Sequence, residues 1–361
     1  MPPLFTKEQL RKLIFPLIIE QILAVTIGMA DSVMVASVGE AAISGVSLVD
    51  QINMLLISIL SALATGGAVI ASQYLGRQDR DSACGAAKQL VFACAALSCV
   101  VMAATLLFRG PLLRLLYGSI SADVMTNAET YFLISALSYP FIALYNAGAA
   151  LFRAMGNSKI SMTTSILMNV INVCGNAILI YGFGMGVAGA AIATLVARMA
   201  GSVFILALLR STANTVFVRN WRAYRPDFTM IRRILGIGVP SGLENGMFQI
   251  GKVLVASLVA TYGTASITAN SVAGNICMIP SIPGTAIGLS MITVIGQCVG
   301  AGDIAQARHY TKSLMGKAML WLAILNIPMY FLCPYFVGIY DVAGESARVA
   351  IEIIRLHSIF C

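Results

Sequence analysis

Charge is scarce in this chain. Only 11% of its 361 residues are Asp, Glu, Lys or Arg, against about 25% in soluble domains. That scarcity, with 58% hydrophobic residues and a mean hydropathy of +0.87, excludes an ordinary soluble domain and implies an all-α polytopic membrane protein. Histidine occurs only at His309 and His357. No HExxH, Walker A, GxSxG or aspartate-rich prenyl motif is present, so metal or phosphate chemistry by a membrane enzyme is excluded and no cofactor is expected. The eight cysteines form no CxxC pair and no metal spacing. They lie in or beside apolar runs and read as small buried hydrophobes. The first apolar run follows Lys7, Arg11 and Lys12, is longer than a signal-peptide core and carries two acids, so no cleavable signal peptide is expected.

The net charge is +8. The cations fall between apolar runs rather than along one face, which argues against a nucleic-acid partner and for orientation in a bilayer. Spans of about 20 apolar residues read at roughly 13–37, 46–74, 88–108, 128–151, 160–181, 187–209, 233–261, 268–298 and 314–334, with a tenth starting near 347. With the N-terminus in the cytoplasm, 17 Lys and Arg residues lie on the cytoplasmic side and three, Arg109, Arg114 and Arg348, on the other. This is a strong positive-inside pattern for a multi-pass protein of the cell (inner) membrane.

Residues 16–88 return at 240–312, shifted by 224 positions without a gap, and 16 of the 73 positions are identical. Glu20/Glu244, Gln73/Gln297, Gly76/Gly300, Asp79/Asp303 and Lys88/Lys312 are among them. Shared apolar composition does not place Gln, Gly, Asp and Lys in one register, so the repeat is an internal duplication. Six spans separate the copies. Both halves therefore enter the membrane in the same direction, with a cleft between them. The expected organisation is an N-terminal lobe of six helices at 1–210, a polar cytoplasmic linker at 211–232 (Arg219, Trp221, Arg222, Arg225, Asp227) and a partial C-terminal lobe of about three and a half helices at 233–361. Residue 361 falls inside the tenth span, so the chain is expected to lack the final two to three helices of a six-plus-six architecture, as a partial sequence or a decayed gene.

Charges inside the spans cost roughly 2.5–3.5 kcal/mol each and usually mark function or a partner. Asp31, in the first span, has Val255 as its repeat-mate, so duplication does not account for it. A carboxyl there can take up and release a proton or bind sodium; alternatively it is structural, held by polar neighbours. Ser161, Ser165, Asn169, Asn172 and Asn176 share one face of the fifth span, as cavity lining or as interhelical glue. Thr194 and Arg198 stand one turn apart on the sixth span; Arg198 either pairs with an acid or snorkels to the interface. Glu20 and Glu244 each follow a proline by four residues, which suggests a symmetric role near the inner mouth in gating or ion handling. Lys252 is level with Gly28 by the repeat register, and an Asp31–Lys252 contact across the cleft is a further expectation. Pro280, Pro283, Gly284 and Gly288 interrupt the eighth span and Gly66–Gly67 the second, as breaks that permit gating.

The run MADSVMVASVGEAAISGVSLVDQI at 29–52, GVAGAAIAT at 186–194 and VPSGLENGMFQIGK at 239–252, with the parallel duplication, resemble bacterial multidrug and toxic compound extrusion (MATE) transporters. The similarity covers essentially the whole chain. The resemblance implies a V-shaped pair of lobes and a secondary antiporter, probed with small-molecule drugs or cationic dyes, that exports amphipathic, often cationic compounds in exchange for H+ or Na+. It implies a monomer in the lipid bilayer. It also implies that Asp31 is the cation site, completed by Asn172, Asn176 and Thr194, with Na+ at Asp31, Asn172 and Thr194 if sodium is used. Where part of that family has an acid, this chain has Asn176, which removes one negative charge and tilts the coupling toward protons. A lipid-linked oligosaccharide flippase of the same superfamily, or a non-transporting fragment, is the alternative.

Overall fold

In the computed structural model, residues 3–117, 121–219, 225–260, 262, 264–339 and 344–360 are described. Among them the secondary structure is helical throughout. The elements are α1 (Lys7–Ala36), α2 (Glu40–Gly76), α3 (Arg80–Tyr117), α4 (Ala122–Leu137), α5 (Tyr139–Ala154), α6 (Ser158–Asn176), α7 (Gly186–Leu209), α8 (Phe228–Ala260), α9 (Thr264–Gly300), α10 (Ile304–Ile339) and α11 (Gly344–Phe360). Among the described residues seven helices are long and apolar enough to cross a membrane, or eight if α4 and α5 form one bent span. The protein is therefore an all-α, multi-pass membrane protein.

The duplication is visible in the helix ends. Adding 224 to the bounds of α2 gives 264 and 300, the bounds of α9, and adding it to the start of α3 gives 304, the start of α10. The shared aspartates are part of the reason. Asp79 accepts from the Ser82 backbone N–H at 3.0 Å and Asp303 from that of Gln306 at 2.9 Å. Each thus caps a helix N-terminus that would otherwise present unpaired N–H groups. At α1 the cap is reciprocal: Thr6 accepts from Gln9 N–H and the Gln9 side chain accepts from Thr6 N–H.

Helices α2 and α9 run side by side and finish together. Gly76 lies against the backbone of Gln297, and Gly300 against the backbone of Gln73. Both copies of the repeat therefore point the same way. Helix α2 also rests on α8, where a side chain at Gly66 would run into the Ile234 carbonyl. The first half closes around Leu90, Phe152, Ile205 and Leu209, and the second around Ile276, Cys333 and Ile354. The start of α1 crosses over: Leu10 and Leu13 pack with Val294 and Leu314 of α9 and α10, and the Tyr310 hydroxyl donates to the Phe5 carbonyl at 2.8 Å.

Two expectations change. The span read at 128–151 is broken at Ser138, with a 46° bend between α4 and α5; Pro140, in the first turn of α5, lacks the N–H needed to continue the ladder. The prolines and glycines of the eighth span do not interrupt it, because α9 runs through Pro280 and Pro283. Gly66 and Gly67 serve close packing, on α8 and on Leu90 of α3, rather than a break. The polar stretch after α7 packs on the rest of the protein where it is described. Val216 and Val218 are buried, and Arg80 donates to the carbonyls of Thr212, Asn214 and Thr215. Trp221 and Arg222 lie outside the described residues.

Candidate functional site

Helix α6 turns its polar stripe inward. Ser165, Asn169 and Asn172 line a cavity of about 350 Å³ together with Glu20 and Asp31 of α1 and Thr194 and Arg198 of α7. The repeat of four, four, three and four residues works here because α6 packs against both α1 and α7, so a single face meets both walls.

Asn176 Nδ2 donates to Asp31 Oδ1 at 2.5 Å and to Asn172 Oδ1 at 3.3 Å. Asn172 Nδ2 in turn donates to Thr194 Oγ1 at 3.0 Å. Asp31, Asn176, Asn172 and Thr194 thus form one chain of hydrogen bonds across three helices. A carboxylate can only accept, so the Asn176 amide must turn its nitrogen toward Asp31. Its oxygen is then buried without a partner. Directly after Asn176 the helix widens into a π-helical segment, Ala177–Gly182. Such segments recur at functional sites.

Glu20 anchors the other end of the cavity. It is 8% exposed and accepts from Arg153 Nη1 at 3.3 Å, from the Tyr145 hydroxyl at 3.4 Å and from the Ser161 hydroxyl. Its repeat-mate Glu244 is exposed on α8 and lies away from this cavity, so the two acids do not share one environment. The partners of Glu20 come from α5 and α6. The Asp31–Lys252 contact does not form either. The Lys252 ammonium sits 4.9 Å from the Phe248 ring centroid, and among the described residues it makes no ion pair with Asp31. Equal depth in two halves of a repeat does not place side chains on facing surfaces.

Sequence reading missed Asp50, Arg153, Tyr131 and Tyr139. Arg198 Nη1 donates to Ser138 Oγ at 2.7 Å, at the α4–α5 break, rather than snorkelling. The next residue, Tyr139, donates to Asn53 Oδ1 at 2.7 Å, and Asn53 Nδ2 donates to Asp50 Oδ1 at 3.3 Å. The available signal for Asp50 was its charge inside a span read as 46–74.

A second cavity of about 650 Å³ lies between α1, α2 and α9. Gln21, Ser32, Asn275, Ser281 and Thr285 line it with Met29, Met54 and Met278, and no charged residue does among the described residues. Gln21 and Ala24 line both cavities. Helix α1 is therefore the wall between the charged cavity and the cleft. Among the described residues no three His, Cys, Asp or Glu side chains cluster as metal ligands.

An internally repeated helical membrane protein with ionisable groups enclosed beside a cleft has the architecture of a secondary transporter. The chain matches the model of the MatE family over residues 16–178 and 240–361, two segments whose starts differ by the same 224 residues. The chain belongs to this family, a family of transporters and not of enzymes. It is 26% identical to the uncharacterized transporter YisQ of Bacillus subtilis (strain 168), over 95% of this chain and 76% of that one. It is 24% identical to the probable multidrug resistance protein NorM of Thermotoga maritima, over 98% and 77%. Among solved structures, an outward-facing multidrug resistance MATE family transporter superposes with a TM-score of 0.91 at 21% identity, over 98% of this chain and 79% of that one.

Proposed function

We propose that the protein is a secondary multidrug efflux antiporter that exports amphipathic, often cationic compounds in exchange for H+, with Na+ as the alternative coupling ion. The observation that carries this reading is the Asp31 carboxylate, held by Asn176 in a cavity that shares the wall α1 with an uncharged, methionine-rich cleft. Methionine is flexible and polarizable and suits a cleft that accepts varied apolar shapes. Its volume falls within the roughly 300–1,000 Å³ of small-molecule sites. The probable multidrug resistance NorM relative and the multidrug export protein MepA of Staphylococcus aureus, 22% identical, support the substrate class.

In this reading the lobes are 1–210 and 233–361, joined by 211–232, and the protein is a monomer in the inner membrane with its N-terminus in the cytoplasm. A cation from outside binds Asp31 and displaces the Asn176 amide. The hydrogen-bond chain through Asn172 to Thr194 then rearranges, α1 shifts, and the cleft changes access. Proton coupling is favoured because Asn176 presents a donor to Asp31 where a sodium cage would need another oxygen. One charge crossing 100 mV is worth about 2.3 kcal/mol; at 1.36 kcal/mol per decade this sustains a drug gradient of roughly 50-fold. The uncharged lining of the cleft offers nothing to a pyrophosphate headgroup, so the flippase alternative has no observation in its favour.

The test is dye efflux from energised vesicles with Asp31→Asn. Energised export should vanish while the protein stays in the membrane at wild-type level. Wild-type export by this variant would end the proposal.

A further inference from the structure

The start of α1 crosses from the first half of the molecule to the second, and a groove of about 530 Å³ opens where it meets α9 and α10. Leu10, Ile14, Phe15, Ile18 and Ile287 give the groove apolar walls. Lys7, Arg11 and Lys12 of α1 and Lys317 of α10 also line it, with Trp321 one turn further along α10. No acid lines it among the described residues. All four cations are exposed. Lys12 is paired with Glu8 at 2.7 Å. Among the described residues Lys7, Arg11 and Lys317 make no ion pair. Cations thus gather on an apolar slot with no acid of the protein's own to account for them.

The duplication supplies a comparison within the molecule. A second groove, of about 360 Å³, lies between α2, α3 and α8. The 224-residue shift pairs Arg11 with Leu235, Phe15 with Val239, Ile18 with Gly242, Ile287 with Leu63 and Trp321 with Leu97, and all five of these mates line the second groove. The two grooves are therefore copies of one joint. In the copy Lys317 becomes Ala93 and Lys7 becomes Ile231, and no charged residue lines it among the described residues. Arg232 and Arg233 belong to the same stretch of α8 but do not line the copy, and Arg233 donates to the Tyr74 hydroxyl at 3.1 Å. The fold builds this joint without cations, so packing does not require Arg11 and Lys317. What they add is positive charge on one side only.

We propose that the groove between α1, α9 and α10 is a binding site for a single anionic phospholipid of the phosphatidylglycerol type. An acyl chain lies along the apolar walls, and the phosphate sits at the rim between Arg11 and Lys317. Arginine offers phosphate oxygens a planar pair of donors and lysine a point charge. Basic pockets between membrane helices take such headgroups. Trp321 suits the level where headgroup meets hydrocarbon. A zwitterionic lipid carries its own cation and gains little from the rim. Arg11 belongs to the first half and Lys317 to the second, so the bound lipid ties α1, the wall between the two cavities, to α10. This inference does not depend on the antiport reading.

The experiment counts lipids retained by the protein, as its gene encodes it, in native mass spectrometry. Detergent-purified protein is titrated with dioleoylphosphatidylglycerol or with dioleoylphosphatidylcholine, which share their acyl chains. The wild type should hold one phosphatidylglycerol about tenfold or more tightly than phosphatidylcholine. Arg11→Gln/Lys317→Gln should lose that preference. Arg232→Gln/Arg233→Gln removes the same charge beside the copy and should keep it. Glycerol phosphate in solution should not displace the lipid; full displacement would mean a phosphate site rather than a lipid seat and would overturn the inference. Equal affinity of the wild type for the two lipids would overturn it too, as expected if another protein segment fills the groove or only exchanging bulk lipid passes through. So would an equal loss in both double variants, as expected from general surface attraction. If Arg11→Gln/Lys317→Gln does not insert, the single variants Arg11→Gln and Lys317→Gln decide. Each should weaken phosphatidylglycerol binding severalfold, and unchanged binding in both would end the proposal.

Discussion

Gly76 and Gly300 exchange partners: each lies against the backbone of the glutamine three residues before the other, Gln297 for Gly76 and Gln73 for Gly300. The contact is a local two-fold made from four of the repeat's identical residues. It closes the end of the bundle where α2 and α9 finish. On the same seam Thr293 donates to the Arg153 carbonyl at 2.9 Å and Gln297 to the Ala154 carbonyl at 2.7 Å, both at the C-terminal end of α5.

A methyl group at either glycine would therefore wedge two helix backbones apart. Gly76→Ala and Gly300→Ala should each destabilise the protein by about 1–3 kcal/mol, the usual cost of overpacking. Gly85→Ala on α3, where a Cβ meets open space, should be neutral or mildly stabilising. Thermal unfolding in detergent separates the two cases.

Glu20 is buried and Arg153 largely so, with side chains 10% and 15% exposed. Removing one partner strands the other charge, at about 3–5 kcal/mol. Glu20→Gln and Arg153→Met should lower the thermal midpoint strongly, and the double variant should lower it less than either alone. The exposed Glu8–Lys12 pair on α1 should show no such effect. Equal midpoints for the single and double variants would contradict the pairing.

The Asp79 carboxyl, in the turn before α3, is held below its ordinary value, chiefly by hydrogen bonds from the Ser82 side chain and backbone N–H. A depressed carboxylate stabilises the fold above its unfolded-state range, and that stabilisation is lost as pH falls through the lowered value. Asp79→Asn should therefore differ from wild type at neutral pH and converge with it under strong acid. Unfolding midpoints across an acid series check the sign.

Lys252 stacks on Phe248 and stands near His357, remote from the Asp31 chain of hydrogen bonds. Lys252→Met should leave the cation dependence of efflux unchanged. A changed dependence would place Lys252 in the coupling route after all.

Much of this was legible in the order of residues. The 224-residue register predicted which helices would be copies, and the spacing of Ser161, Ser165, Asn169, Asn172 and Asn176 predicted a single polar face. Asp31 stood out because a carboxylate in an apolar run is costly. Asp50 carries the same signal near the start of its span, but charge and position alone do not reveal whether such a residue faces lipid, water or a partner.

The sequence by itself determined that the chain crosses a membrane repeatedly, that it is duplicated in parallel, and which of its polar residues share a helical face. These follow from local quantities: hydropathy over about 20 residues, periodicity and register. Only the tertiary structure decided that Asn176 reaches Asp31, that Arg153 answers Glu20, and that Arg198 faces inward to Ser138. Each of those contacts joins residues on different helices, 60 to 145 positions apart in the chain. The relative rotation and crossing of packed helices sets them, and no single helix carries that information.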